Sequence, residues 1–368
     1  MAAMRKRVGI IGASGNVGRG AAELLAGNKD IIVRLGCRNP PQSMEKGQNI
    51  EIMTVDIYIK EQLAEFVRDC SAVINCAGPA SEIRTRVAKV CMEKEICYID
   101  AAGNKSVYKE LKQLSPSCPP AMSIVSAGIY PGLTEMFAIW AVNRIDGEIY
   151  FLEEIFFGNN MLSLHAAEDI CETLDADEGK TFAYYDNGTI AKIDFDARGQ
   201  EKIPGLAEPV SVIPVIYDEF AAAMKMKRVN KAVFYNSFSS QGSLIRFVDI
   251  KNNLKNNTEY SSDKTALVRD IFWSPELEQI FTLIVELKAE ENGQLVRRRY
   301  VLSSTENWNT VTGYVAAILS RQILSGNDKK PGLYFASEIA DIDNIIEELR
   351  INSVITIKCF QKIVQKGP

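Results

Sequence analysis

Three glycines stand three residues apart near the start of the chain, in the segment VGIIGASGNVGRGAAELL from Val8 to Leu25. An apolar run of strand character precedes them, and a segment with helical periodicity follows. Glycine permits positive φ and leaves no Cβ between the backbone and a ligand. The free N–H groups and the dipole of the following helix attract an anion. The segment predicts a turn that binds a dinucleotide pyrophosphate; a tight turn without nucleotide is the alternative.

The surroundings of this turn support the nucleotide interpretation. Residues 7–100 alternate short apolar runs with helical segments, one of them predicted over Ser81–Lys94. This alternation is typical of right-handed crossovers and a doubly wound parallel sheet. The glycine spacing is G-x-x-G-x-x-G, and it falls at the first crossover of that sheet. The predicted pyrophosphate contacts are Gly12, Ser14, Gly15, Asn16 and Val17.

The ends of the next strands predict which dinucleotide binds. The second strand ends in LGCRNP, without the Asp or Glu that binds the ribose 2′-OH of NAD. Arg38 stands there, and a guanidinium suits a 2′-phosphate, so we expect NADP(H); a plain surface arginine is the alternative. Asp56, after the third strand, is placed to edge the adenine. The fourth strand ends in NCAGP, and its predicted cofactor contacts are Cys76, Ala77 and Gly78.

The pattern changes from about residue 150, where hairpins replace crossovers. Asn187-Gly188 and Asn292-Gly293 each separate two β-rich runs, which is a strong signal for a tight hairpin. Hairpins imply an antiparallel sheet, so we expect an α+β domain here. The predicted division of the α/β chain is a dinucleotide-binding domain over 1–140, a second domain over 141–310, and a C-terminal helix and tail over 311–368.

Composition excludes several classes of protein. The net charge of −5 gives no sign of nucleic-acid binding, and no apolar stretch approaches the roughly 18 residues of a membrane helix. Eight scattered cysteines without a C-x-x-C pair predict a cytoplasmic protein with reduced thiols. One histidine and no cysteine cluster predict no metal site. An open antiparallel sheet has edges to protect, so we expect a homodimer through residues 150–310.

Four segments carry a resemblance to a known family: the glycine segment, AVINCAGPASEIRTRVAKVCMEKEICYIDAAG at 72–103, SAGIYPGLTEMFA at 126–138, and TGYVAAILSRQILSGNDKKPGLYFASEIADIDNIIEEL at 312–349. Together they resemble the saccharopine dehydrogenase-like family of NAD(P) oxidoreductases. The resemblance implies a Rossmann domain completed by the C-terminal tail, with a second domain inserted between. It implies dehydrogenase or reductase chemistry at a carbon–nitrogen bond, as in the formation of saccharopine or carboxynorspermidine. It also places the turn Gly128–Leu133, with Pro131 and Gly132, beside the nicotinamide.

These observations predict an enzyme that uses NADP(H) to reduce an imine, or to oxidise the corresponding secondary amine, of a small molecule. Tyr130 in the Pro-Gly turn and His165, the one histidine, are the candidate proton donors. Tyr98 and Asp100, at the fifth strand, lie near the expected cleft, and an aspartate there is more typical of a loop anchor than of a catalytic acid.

Two other functions stay open. Tyr108 with Lys112, and Tyr260 with Lys264, have the Tyr-x-x-x-Lys spacing that short-chain dehydrogenases use for carbonyl reduction. About one such match is expected by chance in a chain of this composition. A dinucleotide-binding redox sensor without turnover would show the same glycine turn.

Overall fold

A computed structural model of the chain describes residues 5–42, 44, 47–103, 105–114, 121–175, 179–256, 268–326 and 330–364. These residues fall into two compact units. The first lies within Met1–Leu133 and Trp308–Ile345, and the second lies within Thr134–Asn307 and Ile346–Pro368. The chain therefore passes from the first unit to the second, returns to the first, and ends in the second.

The first unit is built on a parallel sheet of seven strands. They are β1 (Lys6–Ile11), β2 (Ile31–Cys37), β3 (Ile50–Thr54), β4 (Ala72–Asn75), β5 (Cys97–Asp100), β6 (Ser123–Val125) and β16 (Leu333–Phe335). Their order is β16-β6-β5-β4-β1-β2-β3, and every pair is parallel. The order reverses at β1, which is the mark of a doubly wound sheet. The predicted Rossmann architecture is confirmed.

The helices of the first unit cover this sheet. They are α1 (Asn16–Ala26), α2 (Lys60–Val67), α3 (Ala80–Ile83), α4 (Arg86–Glu93), α5 (Lys105–Leu114), α10 (Trp308–Gly326) and α11 (Ala336–Ile339), and α12 (Ile342–Ile351) runs across the boundary between the units. The single helix predicted over Ser81–Lys94 is two helices, α3 and α4. Arg84 between them has a φ of +51°, in the left-handed region that interrupts a right-handed helix.

The second unit is built on a mixed sheet of ten strands. They are β7 (Gly147–Asn159), β8 (Lys180–Thr181), β9 (Ala183–Asp186), β10 (Thr189–Lys192), β11 (Gln200–Glu201), β12 (Val210–Ile216), β13 (Lys231–Phe238), β14 (Ile280–Glu291), β15 (Gln294–Ser304) and β17 (Thr356–Val364). The main path is β10-β9-β13-β7-β14-β15-β17, and β12 joins β13, β8 and β11. Strands β13 and β7 pair in parallel, and the other pairs of these strands are antiparallel, so the predicted mainly antiparallel sheet is confirmed.

Both predicted hairpins are present in this sheet. Asn187 and Gly188 join β9 to β10 with φ values of 45° and 95°, and Asn292 and Gly293 join β14 to β15 with 50° and 77°. Two central residues with positive φ form the turn whose twist matches the flanking strands. The helices of this part are α6 (Leu133–Val142), α7 (Leu164–Asp175), α8 (Asp218–Met226) and α9 (Gln241–Asn256).

The end of the chain differs from the prediction that all of 311–368 returns to the Rossmann domain. Helix α10 and strand β16 do belong to the first unit, where β16 pairs with β6. Strand β17 instead pairs antiparallel with β15, from Leu295 to Ser303 of that strand. An edge strand of an antiparallel sheet accepts a further strand without a crossover, whereas another parallel strand would need one.

Three further properties of the described residues bear on the predictions. None of their helices is both long and apolar enough to cross a membrane. Their seven cysteines are free thiols, and Cys118 lies outside the described residues. No three of their His, Cys, Asp or Glu side chains converge as metal ligands would.

Candidate functional site

The glycine turn joins β1 to α1 at the carboxyl edge of the parallel sheet. Gly12 has a φ of +77°, and a Cβ there would lie 2.7 Å from the backbone N of Ala77. Glycine at position 12 therefore lets the turn pass close to the end of β4. The N–H groups of Gly12 and Ala13 donate to the carbonyl of Gly36 at 3.0 and 3.1 Å, which also fixes the turn against the end of β2.

Gly15, at the tip of the turn, differs from Gly12 because neither its backbone conformation nor its packing requires a glycine. Its φ of −77° and ψ of 166° are open to any residue, and a Cβ there would meet only Gly12 O, at 3.4 Å. The packing of the turn thus places no demand for glycine at this position. Helix α1 begins at the next residue, without a side-chain cap and without an acidic residue in its first turn. Its first N–H groups have no partner within the helix, which suits an anion that approaches at Gly15.

The other predicted contacts of the turn lie around this tip. Ser14 and Asn16 are exposed and Val17 is half-buried. The Ser14 side chain is hydrogen-bonded to the Cys37 thiol, whose pKa is raised by burial. Arg19 was not predicted: its guanidinium donates to Asn16 Oδ1 and so lies toward the N-terminal end of α1. The i, i+3 spacing of Asn16 and Arg19 on a helix is the sequence signal from which this contact could have been predicted.

Arg38 and Asp56 follow β2 and β3 respectively. The Arg38 side chain is exposed, and no described carboxylate forms an ion pair with it. A guanidinium in that position is available to a phosphate. Asp56 is half-buried, and its Oδ1 accepts the N–H of Tyr58 at 3.0 Å. Its own N–H donates to Gln62 Oε1 at 2.8 Å, so Asp56 shapes the loop that leads into α2.

Three buried side chains connect the ends of β4 and β5. Asn75 Nδ2 donates to Tyr98 OH at 3.3 Å and to Asp100 Oδ2 at 3.2 Å. Tyr98 OH also donates to Asp100 Oδ2. Asp100 Oδ1 accepts the N–H of Ala102 at 3.0 Å, and Asn75 Oδ1 accepts that of Ala77 at 3.3 Å. We call these three side chains the anchor network, because they tie the two turns to the strands beneath them.

Burial separates the anchor network from a substrate-binding role. Tyr98 is fully buried, and Asp100 is 4% exposed. Burial raises the pKa of Asp100, against the opposing effect of its three hydrogen bonds. The structure thus agrees with the expectation of a loop anchor at Asp100.

The Pro-Gly turn follows β6 and joins the same edge. The N–H of Ala127 donates to Asp100 O at 3.0 Å, and the N–H of Ser126 donates to Ala102 O at 2.9 Å. Gly132 has a φ of +133°, and a Cβ there would collide with Gly128 O. The turns after β4, β5 and β6 therefore form one hydrogen-bonded edge. On it lie the predicted cofactor contacts Cys76, Ala77, Gly78, Pro131 and Gly132.

The two candidate proton donors belong to different units. Tyr130 is half-buried within the Pro-Gly turn of the first unit. His165 lies in the first turn of α7 in the second unit, where its side chain is 61% exposed. Its Nδ1 is 3.0 Å from Glu168 Oε2 on the same helix. The edge described above therefore includes Tyr130 and not His165.

The residues of the rival Tyr-x-x-x-Lys pattern have other surroundings. The Tyr108 ring stacks on Phe335, with ring centres 4.3 Å apart and planes at 14°. It packs against the core of the first unit, and Lys112, one turn further along α5, is exposed. The second pair, Tyr260 and Lys264, lies outside the described residues.

Comparison with protein families gives a match for this domain. Residues 8–125 match the family described as the saccharopine dehydrogenase NADP binding domain. The chain carries a saccharopine dehydrogenase-type NADP-binding domain. This confirms the predicted family and the predicted cofactor, NADP(H). A search of curated protein sequences found no match.

Solved structures extend the similarity in fold to the whole chain. The apo, histidine-tagged saccharopine dehydrogenase (L-Glu forming) from Saccharomyces cerevisiae matches with a TM-score of 0.69 and 16% identity, over 98% of this chain and 100% of that one. At this identity the match establishes the fold. DAP dehydrogenase of C. glutamicum in complex with DAP has a TM-score of 0.47 and 14% identity, covering 95% of this chain and 100% of that one. Its score is too low to support an argument about function.

Residues 8–125 therefore match a saccharopine dehydrogenase NADP binding domain, and the chain as a whole has a fold similar to that of saccharopine dehydrogenase.

Proposed function

We propose that this saccharopine dehydrogenase-like protein transfers a hydride between NADP(H) and a carbon–nitrogen bond of a small molecule. It would reduce an imine or oxidise the corresponding secondary amine. The observation that carries the proposal is the hydrogen-bonded edge formed by the turns after β4, β5 and β6, next to a glycine turn with room for phosphate at Gly15. Ligands of doubly wound sheets bind at this edge.

In this proposal, different residues bind different parts of the cofactor. The turn from Gly12 to Val17 binds the pyrophosphate through backbone N–H groups, and Arg38 binds the 2′-phosphate. Asp56 shapes the loop beside the adenine. Cys76, Ala77 and Gly78, with Pro131 and Gly132, lie against the nicotinamide end. NADPH supplies the hydride when it is bound.

The choice of a C=N bond rests on proton supply. A protonated imine accepts hydride without a strong acid in place, whereas a ketone needs a proton donor aimed at its oxygen. The tyrosine of the rival pattern, Tyr108, is stacked on Phe335 against the core of the first unit. Tyr130, in the Pro-Gly turn, is the proposed proton donor, and His165 is the second candidate.

An assay with matched substrates tests this chemistry. NADPH consumption is followed with a panel of cyclic imines and the ketones of the same ring size. We expect turnover of imines and not of ketones, a loss of about 10²-fold in Tyr130→Phe, and no change in Tyr108→Phe. Turnover of ketones that Tyr108→Phe abolishes would overturn the proposal in favour of a carbonyl reductase. Binding of NADPH without turnover of any member would favour a redox sensor.

The two ends of α1 offer a matched test of the glycine turn. Gly15→Val places a branched side chain where the phosphate approaches, so we expect NADPH binding to fall by at least about 100-fold while the far-UV spectrum stays native. Gly27→Val, at the other end of α1, is the control, since a Cβ there would meet only Leu24 O, at 3.6 Å. Equal NADPH affinity in the two variants would show that the turn is structural only.

Arg38 tests the preference for NADPH over NADH. A charge-assisted hydrogen bond contributes roughly 1.5–3 kcal/mol, which corresponds to about 10- to 150-fold in affinity. Arg38→Ala should weaken NADPH binding by that factor and leave NADH binding nearly unchanged. Arg68→Ala is the control, because Arg68 is an exposed arginine that pairs with Glu65 on the surface. Equal affinities of the unmutated protein for both cofactors would contradict the assignment.

We propose in addition that the protein acts as a cytoplasmic homodimer, assembled through residues 150–310. The support is the open sheet of the second unit, in which β10, within 150–310, is an outer strand of the described sheet. A monomeric mass by light scattering at micromolar concentration would contradict the dimer.

A further inference from the structure

Helix α10 lies in the first unit, although the chain reaches it only after passing through most of the second. It packs on α1, β4 and β5. Near the end of α10, the carbonyl of Leu324 accepts a hydrogen bond from the ammonium of Lys6, and Lys6 begins β1. The last turn of α10 therefore lies at the amino edge of the parallel sheet. With 19 residues, the helix is long enough to begin at the carboxyl edge.

The beginning of α10 contacts two turns of that carboxyl edge. A Cβ at Gly313 would collide with the carbonyl oxygen of Val17, so glycine lets α10 cross the first turn of α1 at close range. A Cβ at Gly128, which begins the Pro-Gly turn, would lie 2.9 Å from Thr312 Cγ2. Thr312 therefore lies between the turn proposed for the pyrophosphate and the turn proposed for the nicotinamide.

The hydroxyl of Thr312 differs from the serine hydroxyls further along the same helix. Serine and threonine in a helix often donate to a carbonyl three or four residues back. Ser320 donates to Ala317 O at 2.7 Å. Ser325 donates to Arg321 O at 2.8 Å. Thr312 is half-buried, and its hydroxyl forms no hydrogen bond with the described residues, so it is available both to donate and to accept.

We propose that the Thr312 hydroxyl forms a hydrogen bond with the ribose of the nicotinamide half of NADP(H). This ribose joins the pyrophosphate to the nicotinamide, and so belongs between the same two turns as Thr312. Its hydroxyl groups match a side chain that both donates and accepts. The contact depends on the cofactor placement of the proposed function, and not on which substrate receives the hydride.

Calorimetric titration of the full-length protein with three ligands of decreasing size tests the contact. NADPH is the whole cofactor, 2′-phospho-ADP-ribose lacks the nicotinamide, and 2′,5′-ADP also lacks the second ribose and one phosphate. Thr312→Val keeps the methyl group that contacts Gly128 and removes the hydroxyl. We expect this variant to bind NADPH and 2′-phospho-ADP-ribose about three- to tenfold more weakly, and 2′,5′-ADP as the wild type does.

Three further variants control for effects on the helix itself. Thr312→Ser keeps the hydroxyl and should bind NADPH within about twofold of the wild type. Ser325→Ala removes a hydroxyl from the last turn of α10, at the amino edge of the sheet, and should bind all three ligands unchanged. Thr312→Ala lacks the hydroxyl and the methyl group, and it should show the same ligand pattern as Thr312→Val if that variant fails to fold.

Three results would overturn the contact. The first is wild-type affinity for NADPH in Thr312→Val or Thr312→Ala. The second is equal weakening of all three ligands, which is the pattern of a disturbed fold. The third is weakening of NADPH alone, because the nicotinamide would then be the group bound. A wild-type protein that binds all three ligands but reduces no imine would contradict the proposed function and leave the Thr312 contact standing.

Discussion

Two buried acids, one in each unit, have opposite surroundings. Asp100 ends β5 of the NADP-binding domain, is 4% exposed, and accepts hydrogen bonds from Tyr98, Asn75 and Ala102. Glu154 lies within β7 of the second unit and is 0% exposed. Neither of its carboxyl oxygens has a hydrogen-bond partner among the described residues. The same protein therefore buries one carboxyl group that accepts hydrogen bonds and a second carboxyl group that has no hydrogen-bond donor among the described residues.

The pKa values follow from these surroundings. Burial raises the pKa of Asp100, and its hydrogen bonds oppose the rise. Burial raises the pKa of Glu154 well above its ordinary value, and the nearby charge of Glu135 raises it further. Glu135 itself accepts the Thr134 hydroxyl at 2.8 Å. A protein can bury an acid by supplying hydrogen-bond donors, as it does for Asp100 at the edge of the parallel sheet, or at the expense of a raised pKa, as for Glu154 within the mixed sheet.

Replacement of Asp100 should lower the stability of the protein more than replacement of Glu154 changes it. Asp100→Ala leaves the Tyr98 hydroxyl, the Asn75 amide and the Ala102 N–H without their acceptor, so we expect a loss of about 3 kcal/mol in the free energy of unfolding. NADPH binding should weaken as well, because the turns after β4 and β5 lose the hydrogen bonds of the anchor network that connect them. Urea unfolding at pH 7 and an NADPH titration measure the two effects.

Asp30→Ala is the matched control for that variant. Asp30 is exposed in the same domain, so its replacement should change stability by no more than about 0.5 kcal/mol. If Asp100→Ala were no less stable than Asp30→Ala, the anchor network would have no part in holding the turns.

Replacement of the acid without donors should have a smaller effect that depends on pH. The raised pKa means that folded Glu154 keeps its proton where the unfolded chain has lost it. The wild type should therefore be fully stabilised by this group below about pH 4.5, the ordinary glutamate value, and lose that stability as pH rises toward the folded pKa. Glu154→Gln carries no titrating group, so it should be more stable than the wild type at pH 8, by about 1 kcal/mol or more.

Thermal unfolding between pH 5 and pH 9 measures this difference. Glu148→Gln, at the exposed start of the same strand, is the control and should follow the wild-type profile. A Glu154→Gln profile parallel to that of the wild type would show that Glu154 is ionised in the folded protein.

Much of this protein could be predicted from the sequence because the signals are local. The strand, the glycine turn and helix α1 are contiguous, and their backbone geometry is set by residues a few positions apart. The hairpins at Asn187-Gly188 and Asn292-Gly293 depend only on residues that tolerate positive φ. The position of Arg38 just after β2 could be predicted, because the apolar run of that segment indicates where the strand ends.

Other features could not be predicted, since they depend on residues distant in the chain. The anchor network joins Asn75 to Tyr98 and Asp100, which are 23 and 25 residues further along the chain. Spacing alone does not show that these side chains meet across neighbouring strands. Strand β17 pairs with β15 of the second unit, and nothing in its own sequence indicates which of the two sheets it joins.

The segment FLEEIFF of β7 separates what the sequence determines about a side chain from what only the tertiary structure determines. Alternation in a strand determines that Glu153 and Glu154 project from opposite faces of the sheet. Only the tertiary structure decides that Arg198 meets Glu153, at 2.7 Å, while Glu154 is enclosed with no donor at either oxygen among the described residues. The physical reason is that local geometry fixes the direction of a side chain, whereas its energy depends on what the rest of the fold brings to that face.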